Sequence, residues 1–203
     1  MTRRYERTAI HEAAHAVVAL AEARPFHEVV IERTEVSHGG LWGFTSRWGD
    51  DELVRVGIAG FMAHRMCITR WDPRLFEHAR DDLGKVADFF RERPNPRLLR
   101  WNVEATHRCL LRQWNAVKAL AYVLLKFRRV TYANAKNLAE AANRFPEKRS
   151  PEGRVDGWDP LVKHIEFRIR WPGGIEEAIA TALASTTPKS PSGSSSGSDS
   201  PKL

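Results

Sequence analysis

His11, Glu12 and His15 are the residues best placed to do chemistry in this 203-residue chain. A four-residue interval puts the two histidines on one face of a helix, a single turn apart. Glu12 lies about 100° round the axis, close enough to reach a water on an ion that both imidazoles share. Neutral imidazole nitrogens bind zinc, and the adjacent carboxylate can take a proton from the metal's water. The arrangement is H-E-x-x-H, a pattern of metal-assisted hydrolysis. Eight histidines in the chain make a chance match the competing explanation, so the surroundings of the motif decide its weight.

Those surroundings read as helical and apolar. Ala9, Ile10, Ala13, Ala14, Ala16, Val17, Ala19, Leu20 and Ala21 are largely strong helix formers and leave little polar surface. Such a helix is buried on most sides. Two histidines and a glutamate within it must be paired or metal-bound, because unpaired buried polar groups are costly. Core histidines with satisfied hydrogen bonds are the alternative to a metal site. Glu22 continues the His11–His15 stripe but lies about 10 Å beyond His15 along the axis, too far to share an ion. A third histidine six residues after His15 is absent, since position 21 is Ala. The third ligand has to come from another element.

Composition bounds the rest. The length suits one domain with a real core, and 42% hydrophobic with 28% charged residues is ordinary for a soluble globular protein. A formal charge of +7 admits nucleic acid, an acidic partner or an anionic surface, but charge alone speaks of association and not of fold. Cys67 and Cys109 have no CxxC spacing, which points to reduced thiols and a cytoplasmic location. The opening is no signal-peptide core, and no apolar run reaches the roughly 20 residues a transmembrane helix needs.

The elements that must hold the motif follow in order. A first helix is predicted from residue 3 to about 23, stopped by Pro25. Period-two patterning in His27–Arg33 and Gly40–Ser46 flanks a turn at residues 37–40 and predicts a β-hairpin. Its edge could pair with an extended peptide, or simply cap the core. His38 in that turn reads as a solvated loop residue. A second helix starts at the acids Asp50, Asp51 and Glu52 and runs to about Thr69, with Gly57, Ala59, Gly60 and Ala63 giving it a face that another helix can approach closely. His64 lies near that face and reads as packed or surface. A third helix is predicted from Phe76 to about Arg93, with Asp81 and Asp82 near its start. An acid there favours the helix electrostatically or serves as a third zinc ligand. After Pro94-Asn-Pro-Arg97, residues 98 to about 128 form one long helix or two abutting ones, with Leu110, Trp114, Val117, Ala121, Leu124 and Leu125 as the apolar stripe. The basic residues outside it read as a solvated face, and His107 as surface. A helix from Thr131 to near Asn143, a loop over 145–160, a strand over Lys163–Trp171 and a last helix over 174–184 complete a domain of residues 1–184. The Ser/Gly/Pro-rich residues 185–203 are expected to be disordered.

In this order the features resemble the peptidase domain of the FtsH-type ATP-dependent zinc metalloproteases. His11-Glu-Ala-Ala-His-Ala16 is similar to that family's H-E-A-G-H-A helix. Phe26–Arg33 and Leu41–Thr45 echo its following strands, and Ala59-Gly-Phe-Met-Ala-His64 its G-G-R-x-A-E segment. Ala79-Arg-Asp-Asp-Leu83 fits G-A-x-x-D-L, whose Asp is the third zinc ligand, and Trp114–Leu125 is similar to the helix that follows. The likeness covers roughly residues 8–143. Ala14 replaces the Gly between the histidines, His64 stands where the family has Glu, and Glu77-His78 precede Ala79 where Gly is expected. No G-x-x-x-x-G-K-[ST] occurs, so a stand-alone domain is expected, without the family's ATPase module or membrane anchors.

The resemblance implies a mainly α, zincin-like helical metallopeptidase fold with a small β-hairpin or sheet near the zinc helix. It implies Zn²⁺ on His11, His15 and Asp82, with Glu12 as general base for peptide hydrolysis. Substrates would be unfolded polypeptides or short peptides, or chains delivered by a separate ATPase. A homo-oligomer is a further expectation, drawn from hexameric relatives. The alternative is a zinc-binding regulatory or interaction module with little turnover, for which His64 and the missing motor speak. Nucleic-acid binding rests on charge alone, with no recognition motif to support it.

Overall fold

A nearly all-apolar opening helix has to be covered on most of its sides, and the architecture is built around that requirement. The computed structural model describes residues 3–31, 40–42, 50–67, 74–144, 159–170 and 177. Helix α1 (Arg3–Ala21) buries Ala9, Ala13, Ala14, Ala16, Val17, Val18 and Ala19 completely or almost so. It packs chiefly on α2 (Asp50–Met66) and α6 (Trp114–Phe127), with α5 (Pro96–Arg112) and α7 (Tyr132–Arg144) adding to the cover. The alanines let these neighbours approach closely. Before Pro25 the chain leaves α1 through Ala23, whose φ of 54° lies in the left-handed region that ends many helices.

The remaining helices are α3 (Arg74–His78), α4 (Arg80–Glu92) and α8 (Asp159–Arg170). Three short strands occur among the described residues: β1 (Glu28–Val30), β2 (Gly40–Trp42) and β3 (Arg129–Thr131). They form an antiparallel sheet in the order β2-β1-β3, with Val29 opposite Leu41 on one side and Val130 on the other. The described residues are thus mainly helical with a small sheet beside α1. Among them, no helix is long and apolar enough to cross a membrane.

The two strands predicted to form a hairpin pair antiparallel, and β3 is an element not anticipated from the sequence. Thr131 reads as a helix start, whereas Arg129–Thr131 pair with β1 before α7 begins at Tyr132. Residues 98–128 resolve into two abutting helices meeting at Gln113. The expected third helix is broken at Ala79 into α3 and α4, although the bond from Leu83 N–H to the Ala79 carbonyl carries the chain across. The strand expected over Lys163–Trp171 is instead the helix α8. Ile165, Phe167 and Ile169 alternate, but Leu161, Val162 and Ile165 are the buried set, which is the i, i+1, i+4 spacing of a helix. Arg91 caps it by donating to the carbonyls of Arg168 and Ile169. The turn at 37–39 with His38, residues 145–158 of the loop expected over 145–160, the helix expected over 174–184 and the tail 185–203 lie outside the described residues, Glu177 apart, while Asp159 and Pro160 open α8 instead of ending that loop.

Two ends of the bundle are fixed by caps and charge. Asn95 accepts from the Leu98 amide at 3.0 Å and Pro96 opens α5, so the helix starts inside the segment read as a break. The buried Arg55 of α2 grips Glu22 with two bonds of 2.8 Å and also donates to Asn102 of α5, which in turn donates to Asp51. This network ties the end of α1 to α2 and α5. Removing Arg55 leaves Glu22 and Asn102 without their partner, so Arg55→Ala should lower the unfolding free energy by about 3 kcal/mol in urea titrations.

Candidate functional site

The helical periodicity of α1 delivers His11 and His15 to one spot, and the fold brings a carboxylate to meet them. Asp82 Oδ2 lies 3.0 Å from His11 Nε2 and 3.2 Å from His15 Nε2, and the two Nε2 atoms are 3.0 Å apart. The three residues offer ligand atoms that all lie within 4.8 Å of one another and can hold a metal ion. Asp82 is 71 positions from His11 in the chain. It sits in the first turn of α4, where the N-cap residue Ala79 makes no side-chain cap, and its carboxylate turns to the histidines.

Two features of α2 make this approach possible. A Cβ on Gly60 would stand 2.5–2.6 Å from His11 Cε1 and Nε2 and from His15 Nε2, so only glycine leaves room for the rings. A Cβ on Gly57 would stand 2.8 Å from Val86 Cγ2, which sets how closely α4 can lie against α2. The small-residue face read from the sequence therefore receives the two imidazoles as well as a helix. The carbonyl of Val56 accepts a 2.6 Å hydrogen bond from His15 Nδ1. That bond fixes the ring and leaves Nε2 as the atom presented to the site, the usual way a histidine ligand is oriented. Nothing in the sequence points to this carbonyl, because it is a backbone group selected by helix packing.

The electrostatics favour positive charge among these groups. Burial opposes a charge on His15, but the Asp82 carboxylate in contact with it, helped by Glu12 and the Val56 carbonyl, outweighs burial and lifts its pKa to about 9. Burial likewise favours neutral Asp82, yet the two imidazoles hold its carboxyl well below the usual carboxylate range. A proton on His15 thus supplies positive charge to the cluster. Glu12 is 6% exposed, and burial raises its pKa against the lowering influence of His11, His15 and Lys85. It is a buried carboxylate whose proton affinity responds to the charge on all three candidate ligands.

The distances fit a small divalent ion. Ligand bonds of about 2.0–2.1 Å in tetrahedral array place neighbouring donor atoms roughly 3.3 Å apart. The three donors here are a few tenths of an ångström closer, so a slight opening accommodates the ion. Glu22, set aside on helical rise, is engaged with Arg55 and plays no part in the site. His64 is buried at 4% exposure, not a surface residue, one turn beyond Gly60 on α2.

Two outcomes follow. Gly60→Ala should push the rings apart and weaken metal binding at least about tenfold by equilibrium dialysis, a penalty of the size seen when support around ligands is lost. In the metal-free protein, a His15 pKa of about 9 against about 6.5 unfolded means the folded state binds the extra proton, so its contribution is complete below pH 6.5. Stability of the metal-free protein should then fall as pH rises from 6.5 to 9 in thermal melts, and the metal-loaded protein should lack this slope.

No protein-family model matches the chain, and a search of curated proteins finds no significant match.

Proposed function

We propose that the chain is a zinc-dependent metallopeptidase of the kind found in the peptidase domain of FtsH-type proteases. The observation that carries this reading is the meeting of Asp82 Oδ2 with the Nε2 atoms of both motif histidines, at 3.0 and 3.2 Å, beside a buried Glu12. Two imidazoles and one carboxylate are a donor set that zinc uses in hydrolases, with a fourth position left for water. When bound there, zinc supplies Lewis acidity, lowering the pKa of water to about 7 and stabilising charge on a carbonyl oxygen.

The chain's own residues do the rest. His11 and His15 bind through Nε2, with the Val56 carbonyl holding the His15 ring in orientation. Asp82 neutralises part of the cationic charge. Glu12 accepts the proton of the attacking water and returns it to the leaving amine. Its burial keeps bulk water away from the carboxylate and raises its proton affinity towards what a general base needs at neutral pH.

Substrates on this reading are unfolded polypeptides or short peptides. His11, Glu12 and His15 are each 9% exposed or less, so a scissile bond must reach them in an extended segment. The sheet beside α1 has outer strands β2 and β3, and an extended segment can add to such an edge. A separate ATPase delivering substrate, and assembly into a homo-oligomer, belong to the same proposal by likeness to that family. So does a cytoplasmic location, with which Cys67 and Cys109, unjoined, are compatible.

A zinc-binding regulatory module with little turnover is the second reading. It is favoured by the buried His64, which occupies the position of a glutamate in that family. Stoichiometric zinc without cleavage of an unfolded casein-type substrate would select it.

Glu12→Gln should retain zinc and lose cleavage by about 10²-fold or more. His11→Ala should lose both. Unchanged cleavage by the Gln variant would remove the mechanism.

A further inference from the structure

The seam between α2 and the α3–α4 segment carries a second pair of imidazoles. Gly57 lies against Val86 and near the Asp82 carbonyl, Gly60 against the two motif histidines that contact Asp82, and the His64 ring against the His78 ring. As α2 runs from 57 through 60 to 64, the facing segment runs from 86 through 82 to 78. The two histidines therefore face each other one helical turn from the Gly60–Asp82 level. Four residues of α2 amount to about 6 Å of rise. His64 is 4% exposed, while His78, at the end of α3, is exposed. A solute can reach the pair from the His78 side.

The ring centres are 6.1 Å apart, with planes inclined at 44°. An imidazole nitrogen about 2.0–2.1 Å from zinc places its ring centre roughly 3.2 Å from the ion. Two imidazoles on one ion then have centres roughly 5 to 6.4 Å apart, from tetrahedral to linear angles. The observed separation lies at the wide end of that interval, so a tetrahedral site needs the exposed His78 ring to close in by about 1 Å. Imidazole suits zinc, copper and nickel and suits magnesium and calcium poorly, which defines the class of ion.

We propose that His64 and His78 form a second, weaker site for a first-row transition-metal ion, with water completing its coordination, and that its occupation inhibits the first site. Two protein ligands bind less tightly than three, so this site fills only after the one made by His11, His15 and Asp82. An ion there stands one turn from the first in the same seam, where its charge repels the metal of the first site and competes for the oxygen atoms of water and substrate. The inhibitory part rests on the reading of the chain as a zinc hydrolase; the binding part does not.

The test is equilibrium dialysis of the metal-free full chain against rising zinc, with protein-bound metal measured, for the parent and for His78→Ala and His64→Gln. His78 is exposed, so His78→Ala should melt at the same temperature as the parent without metal. The parent should bind two equivalents in separate phases, and both variants should keep the first phase and lose the second. His11→Ala should do the reverse, losing the tight phase and keeping the weak one. Excess zinc should suppress cleavage by the parent and leave His78→Ala unaffected. A parent that never binds a second equivalent, or a His78→Ala variant that still binds two, overturns the proposal. Two equivalents lost as described, with no cleavage at any zinc level, uphold the second site and instead refute the hydrolase reading.

Discussion

Everything in this molecule that bears on chemistry depends on one three-way contact, in which a carboxylate from the start of α4 reaches two imidazoles on successive turns of α1. The contact joins residues 71 positions apart, so neither partner can make it without the packing of α2 between them. Gly60 is where that packing is tightest, because the ring atoms of both histidines occupy the space a methyl group would take. The alanines of α1 and the glycines of α2 serve the same end. They bring helix axes close enough for short polar side chains to meet across the interface.

The contact is also an arrangement of charge. A partly buried anion, two imidazoles and a buried second carboxylate are stable together only with positive charge among them. In the metal-free protein a proton on His15 provides it, at the cost of holding that residue protonated well above its ordinary range. A divalent ion would meet the same need more fully, beside a Glu12 whose burial raises its proton affinity in the metal-free protein. Structure and proposed chemistry are linked here: the burial that makes the cluster demand a cation also raises the pKa of the group placed to act as a base.

Much of this was legible in the sequence, and the remainder fails for identifiable reasons. The periodicity of α1 was enough to put His11 and His15 on one face, and Pro25 and the Pro94-Asn-Pro-Arg97 break marked helix boundaries locally. The meeting of Asp82 with those histidines is a tertiary contact, and only likeness to a known family singled Asp82 out from Asp81. The close fit at Gly60 and the Val56 carbonyl carry no local signature, since both depend on what lies across an interface. Strand β3 escaped notice because three residues are too few to show a period, and its partner β1 lies far back in the chain. Helix α8 was misread because Ile165, Phe167 and Ile169 satisfy a period of two and Leu161 and Val162, which settle the matter, fall before that run. His78 had no reason to be linked with His64 until the antiparallel course of α2 and the α3–α4 segment set them face to face.

The central claim is that the opening helix and the start of α4 cage an ion between them. X-ray absorption spectroscopy at the zinc edge, on protein loaded with one equivalent, addresses it most directly. The account predicts a first shell of light atoms at about 2.0–2.1 Å containing two imidazoles, altered when Asp82 is replaced by Ala. A protein that takes up no zinc, or a shell that is the same with and without the Asp82 carboxylate, would contradict it.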